Sequence, residues 1–137
     1  MTDEKRRELY ALAEEARERA YCPYSGVSVG AALLCASGRI YEGSNIENAA
    51  YSPSVCAERV ALFKAVSEGE REFLAIAVAG GRVGECSGDG FSPCGVCRQV
   101  LSEFCEGGAE IILRDGEGVC SHGLAELLPL AFNKKLL

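Results

Sequence analysis

Residues 73–79 read FLAIAVA. An unbroken apolar run of this length, with no polar alternation, describes a strand covered on both faces. Such a strand needs helices above and below it, so this stretch decides the architecture. The chain around it supplies them. Residues 55–68 (VCAERVALFKAVSE) are apolar on most sides, as suits a helix packed on a sheet, and Gly69 ends them. Residues 3–20 form another helix: Thr2 can cap it, Asp3 and Glu4 suit its first turn, and Leu9, Leu12, Ala13, Ala16 and Ala20 mark one apolar face. Ser92 as N-cap with Pro93 at the first helical position predicts a third, whose buried face is Cys97, Val100, Leu101 and Phe104.

The remaining strands frame this core. VSVGAALLC (27–35) and RIYEGSN (39–45) form a hairpin through Ala36-Ser37-Gly38. EIILR (110–114), a turn at Asp115-Gly116, a short strand at 118–121 and a last helix over about 123–128 complete the chain before Pro129. Residues 80–91, with five glycines, are predicted as a loop. The reading is one α/β domain over residues 1–137, a three-layer α/β/α sandwich with a mixed five-stranded sheet. The helices at 55 and 94 are right-handed crossovers that start at one sheet edge, where ligands usually bind.

Composition narrows the function classes. The 137 residues are 48% hydrophobic and 25% charged, with a net charge of −6 and no repeat or low-complexity tract. The acidic balance and the lack of a Lys/Arg block argue against a nucleic-acid polymer as partner. No apolar run approaches the roughly 18–20 residues of a membrane span. The charged N-terminus does not resemble a signal peptide, so the expectation is a cytoplasmic protein without a membrane partner.

Eight cysteines are many for this length, and without a secretion signal they point to metal before disulfides. Cys35, Cys105 and Cys120 lie in apolar stretches and read as small buried hydrophobes. Cys22 and Cys86 fall in loops with no assigned role. Cys94 and Cys97 form a C-x-x-C, which alone is a redox pair, half of a structural zinc site or two ligands of a catalytic metal. On the first turn of a helix both side chains point one way, and a helix N-terminus favours thiolates. Cys56, opening the other helix, can add a third sulfur, and three ligands leave a tetrahedral zinc one open position. His122 is read as an exposed loop histidine rather than the fourth ligand. Glu58 can stand beside the metal without binding it and carry a proton between water and a leaving group. Arg59 and Arg98 are candidates for hydrogen bonds to sulfur that offset its charge.

C-A-E at 56–58 with P-C-x-x-C at 93–97 resembles the signature of the zinc nucleoside and nucleobase deaminases, with Cys56 in place of histidine as first ligand. VGAALL (29–34), SNIENAAYSPSVCAERVALFKA (44–65), SPCGVCRQVLSEF (92–104) and ELLPLAF (126–132) extend the resemblance, over nearly the whole chain, to the small homotetrameric cytidine deaminases. It implies that Cys56, Cys94 and Cys97 hold one Zn²⁺ and that Glu58 shuttles the proton and meets N3 of cytosine. Water activated by zinc would add at C4, and ammonia would leave. The backbone at Ala57 would help orient the pyrimidine. Asn45 and Glu47, with Ile46 between them, would hold the sugar, and Phe132 would reach a neighbouring subunit's site, so the sites would lie at subunit interfaces.

One departure from the family stands in YSGVSVG (24–30), where Val27 occupies the place of a phenylalanine that packs on the pyrimidine. The expectation is a wider base pocket that a phenylalanine at this position would tighten. The implied activity is deamination of cytidine and deoxycytidine in pyrimidine salvage. The alternative is another aminopyrimidine nucleoside, such as blasticidin S or a modified cytidine. A non-catalytic zinc module and a thioredoxin-like redox protein leave Glu58 without a role, and a polynucleotide deaminase conflicts with the charge.

Overall fold

A computed structural model describes residues 1–106 and 108–137. Nine principal elements follow one another: α1 (Asp3–Ala16), β1 (Val27–Cys35), β2 (Ile40–Ser44), α2 (Ala57–Ser67), β3 (Phe73–Arg82), α3 (Gly95–Phe104), β4 (Glu110–Asp115), β5 (Gly118–Gly123) and α4 (Leu124–Leu127). The strands form one five-stranded sheet in the order β2-β1-β3-β4-β5. β3 and β4 are parallel, and every other neighbouring pair is antiparallel. The sheet is therefore mixed, as expected, and α3 crosses between its parallel strands.

FLAIAVA is buried as its composition requires. On one face, Ala75, Ala77 and Ala79 join Ala32 and Leu34 of β1 beneath Leu9 and Ala13 of α1. On the other, Ile76 and Val78 pack with Ala57, Ala61 and Leu62 of α2 and Leu101 of α3. Small residues on the first face let α1 lie close to the sheet. A Cβ added at Gly30 of β1 would stand 1.9 Å from the Ala13 carbonyl oxygen. On the second face, a Cβ at Gly43 of β2 would stand 2.4 Å from the Ala57 carbonyl oxygen. Helices on both sides are thus seated on glycines, one at each contact.

Several boundaries differ from those the sequence suggests. Thr2 does cap α1, its Oγ1 accepting from the Lys5 amide at 3.1 Å, but the α-helix stops at Ala16 and a 3₁₀ turn covers Arg17–Arg19. Arg17 is the reason: its side chain is buried and donates to the Ser28 carbonyl at 3.1 Å and the Arg82 carbonyl at 3.1 Å, while it pairs with Glu14. β3 runs through Gly80 and Gly81 to Arg82, three residues into the predicted loop. Those glycines are packed rather than loose, since a Cβ at Gly80 would stand 2.3 Å from the Phe91 ring and one at Gly81 would stand 2.9 Å from the Cys86 carbonyl oxygen.

α3 begins later than the Ser92-Pro93 pair suggests, with Cys94 as N-cap. Arg98 holds the preceding residues outside the helix: Nε donates to the Pro93 carbonyl at 2.8 Å, Nη2 to Ser92 Oγ at 3.1 Å and Nη1 to the Leu127 carbonyl at 2.7 Å. The β4–β5 turn lies one residue later than predicted, at residues 116–117, with Gly116 at φ 63°.

A bidentate ion pair ties α1 to the start of β4. Arg6 donates from Nε and Nη2 to the Glu110 carboxylate at 2.8 and 2.9 Å. These bonds, with one from Ser121, hold the Glu110 carboxyl below its usual range. A depressed carboxylate adds stability above its unfolded-state value and loses it as pH falls through the folded one. The urea midpoint should therefore fall on acidification below the ordinary glutamate range, and the fall should be shallower in Glu110→Gln. An identical acid limb in both proteins would remove Glu110 as its source.

Candidate active site

α2 and α3 both point their N-termini at one end of the sheet, and each starts on a cysteine. Cys56 and Cys94 are the N-cap residues, with extended backbones at φ −77°, ψ 155° and φ −68°, ψ 169°. Neither sulfur makes a capping hydrogen bond to its own helix. Cys97 follows one turn into α3 and is fully buried. The three sulfurs lie within 4.8 Å of one another, with Cys56 and Cys94 3.8 Å apart. Zn–S bonds of about 2.3 Å in a tetrahedron separate sulfurs by about 3.8 Å, so the donor set fits zinc. Among the described residues this is the one group of three or more potential ligands so gathered.

The electrostatics suit a metal-binding thiolate. Arg59 Nη2 donates to Cys56 Sγ at 3.4 Å. Hydrogen bonds from Cys97 first, and from Arg59 next, pull the Cys56 thiol down, which makes it an early thiolate of the group. The proton shared with Cys56, together with burial, pushes Cys97 up. Arg59 thus reaches sulfur. Arg98 does not: its hydrogen bonds run to two carbonyls and a serine hydroxyl, and it shapes the entry to α3 instead. His122 is also displaced from its expected loop. It lies in β5, paired with Ile111, and its Nε2 is 3.5 Å from Cys120 Sγ, outside the metal group.

Glu58 occupies the first turn of α2 yet is only 4% exposed. Its Oε1 has no hydrogen-bond partner among the described residues. Burial pushes the carboxyl up to about 7, and the neighbouring Cys56 thiolate adds to the rise. A buried carboxylate with an unused oxygen is able to exchange a proton with a small molecule brought beside it. Ala57, between Cys56 and Glu58, is fully buried and seated on Gly43.

A second cluster stands where β1 begins and β2 ends. Asn45 Oδ1 accepts from the Val29 amide at 2.8 Å, and its Nδ2 donates to the Val27 carbonyl at 2.9 Å. The amide therefore fixes the start of β1, including Val27, in place of a strand partner. Ile46 is bridged by backbone to Tyr21 and Val55, with its side chain half exposed. Glu47 accepts from the Tyr24 and Ser25 amides at 2.9 and 3.1 Å and from the Ser25 hydroxyl. The Ser25 hydroxyl is the chief cause holding its carboxyl below the usual range. Tyr24, Ser25, Glu47, Tyr51 and Ser54 line a cavity of about 310 Å³.

Tyr24, Ser25 and Tyr51 are not among the site residues that the sequence suggests. Nothing local marks them: Tyr24 and Ser25 meet Glu47 because the approach to β1 runs beside the exit of β2, and Tyr51 joins them through its contact with Tyr24. Tyr51 adopts φ 62°, and its ring stands edge-on to Tyr24 at 6.0 Å between centroids. Phe132 is exposed, held by a bond from Gln99 Nε2 to its carbonyl at 2.8 Å.

Residues 3–112 match the family model for the cytidine and deoxycytidylate deaminase zinc-binding region. A cytidine deaminase of Sporosarcina psychrophila is 51% identical over 128 residues, 93% of this chain and 90% of that protein. One from Halalkalibacterium halodurans is 46% identical and covers 93% of each chain. The solved structure of cytidine deaminase from Burkholderia pseudomallei superposes with a TM-score of 0.83 at 43% identity, over 96% of this chain and 100% of that one. Three sulfurs spaced for zinc beside a buried carboxylate with one free oxygen are what a zinc-dependent deaminase requires, and by sequence and fold alike this chain belongs to the cytidine and deoxycytidylate deaminase family.

Proposed function

We infer that this protein is a hydrolase that converts cytidine and 2′-deoxycytidine to uridine and 2′-deoxyuridine with release of ammonia. The observation that carries the reading is Glu58: a buried carboxylate with a free oxygen, next in the chain but one to a cysteine of the three-sulfur group. Cys56, Cys94 and Cys97 would hold the zinc, which supplies an activated water for addition at C4. Glu58 would accept a proton from the attacking water and return it to the amine, so that ammonia leaves C4 once the C4–O bond has formed. Its carboxyl also meets N3, and the Ala57 backbone orients the ring. Arg59 stabilises the sulfur charge through its bond to Cys56.

Glu47 and Asn45 are assigned to the sugar. Support for Glu47 comes from the cavity of about 310 Å³ that it lines; Asn45 stands beside it at the end of β2. Residues 1–137 act as one catalytic domain, assembled as a homotetramer with its sites at subunit interfaces. Exposed Phe132, Tyr51 and Phe63, with Leu130, Leu136 and Leu137 of the tail, support an assembly that covers them. A role in pyrimidine salvage and a cytoplasmic location suit a free nucleoside substrate and reduced thiolate ligands. No helix of the described residues is long and apolar enough to cross a membrane.

The test is the ultraviolet spectrum of cytidine during incubation with the zinc-loaded protein, since loss of the exocyclic amine shifts the base's absorbance. Conversion to uridine is expected, and a chelator that strips the zinc should abolish it. No conversion by folded, zinc-loaded tetramer would direct the reading to another aminopyrimidine nucleoside.

A further inference from the structure

The face of the sheet that bears α2 and α3 also bears the aromatic ring of Phe91, from the loop between β3 and α3. Val29 pairs with Gly80 and Val27 with Arg82 across β1 and β3. Directly opposed residues share a face, so Val27, Val29 and Gly80 lie side by side on it. Phe91 fills the space over Gly80: a Cβ there would be 2.3, 2.4 and 2.6 Å from three atoms of its ring. Phe91 and Val27 both pack, partly buried, on the core cluster that contains Val29 and Ala57. The ring is also anchored to the metal-binding turn. It stands three residues before Cys94, and Arg98 grips Ser92 and Pro93 between them. Val27 is equally fixed, its amide bonded to Ser25 Oγ at 3.0 Å and its carbonyl to Asn45.

We propose that Phe91, seated on Gly80, is the aromatic wall of the base pocket and a specificity-determining residue, replacing from β3's side the ring that β1 lacks at Val27. The proposal rests on cytosine being the base bound. It reverses the simple expectation for Val27: the pocket is narrowed by Phe91, and a phenylalanine introduced at 27 meets a ring already in place. The missing β-carbon of Gly80 is what makes room for that ring.

Steady-state kinetics with cytidine on the zinc-loaded enzyme test it, with zinc content and Tm measured for every variant. Wild-type turnover is the control for the deaminase reading itself. Loss of the ring in Phe91→Val is expected to raise KM about 2- to 10-fold with kcat changed far less, the range of an aromatic contact. Phe91→Leu, closer in volume, gives the same result if the valine variant does not fold. Val27→Phe alone should lower kcat/KM about 10-fold through overpacking, and the pair Val27→Phe with Phe91→Val should recover most of that loss. An unchanged KM in the Phe91 variants overturns the proposal, as does a Val27→Phe enzyme better than wild type. A KM rise seen only together with zinc loss also overturns it, because Phe91 would then act through Cys94.

Discussion

Glu58→Gln should lower kcat for cytidine by about 10²- to 10⁴-fold, the usual scale of a positioned acid–base group, while the zinc stays bound. Glutamine keeps the shape and one hydrogen-bonding oxygen, but it cannot take a proton from water and return it to an amine. The structure predicts a second result for the same variant. Glu58 is buried with Oε1 unpartnered, so its charged form is costly in the native state. A neutral amide lowers that cost, and Tm should stay level or rise as activity disappears. Metal analysis, thermal unfolding and the cytidine absorbance assay separate the effects. More than a tenth of wild-type kcat in a zinc-loaded Glu58→Gln protein would falsify the proton-shuttle role.

The second large effect is expected from one methyl group at either of two glycines. Gly30→Ala places a carbon 1.9 Å from the Ala13 carbonyl oxygen and 2.8 Å from the Arg17 amide, both backbone atoms that cannot swing aside. α1 must lift from the sheet, and the loss should reach or exceed the roughly 1–3 kcal/mol typical of overpacking. Gly43→Ala presses instead on Ala57 and Ala61, at 2.4 and 2.6 Å, beneath the start of α2. Its stability cost should be similar, but it also moves Cys56 and Glu58. Urea unfolding should show both variants destabilised. Competition with a chromophoric chelator should show weaker zinc binding in Gly43→Ala alone, and equal zinc affinity in the two would mean that α2 is not positioned through Gly43.

What the sequence made legible, and what it concealed, follows from the range of the forces involved. Patterns carried by one segment are readable: the continuous run at 73–79, the two strands and turn of the first hairpin, and the Thr2 cap. The cysteine group was readable because two ligands lie one helical turn apart and the third opens a helix of its own. The errors came from side chains that act across the fold. Ser92-Pro93 looks like a helix start until Arg98 reaches back to hold those residues outside the helix. Gly80-Gly81 looks like a loop until Phe91 and the Cys86 carbonyl are seen to require the missing β-carbons. Arg17 sits in a charged run, RERA, and nothing local says that its guanidinium goes inside to meet carbonyls of two strands.

The grip of Arg98 has a consequence for how this enzyme tolerates variation. The glycine-rich passage from 83 to 90 enters α3 through two residues pinned to a guanidinium that is itself fastened to the Leu127 carbonyl. Changes of length upstream of that pin end at it and are not passed on to Cys94 and Cys97. The guanidinium works as a mechanical strain relief, like the clamp where a cable enters a housing. Only the exposed stretch at Val83, Gly84 and Glu85 is open to insertion, because Ser87, Gly88 and Gly90 are themselves bonded to Tyr10, Gly80 and Arg114, and the cysteines at 94 and 97 stay in register.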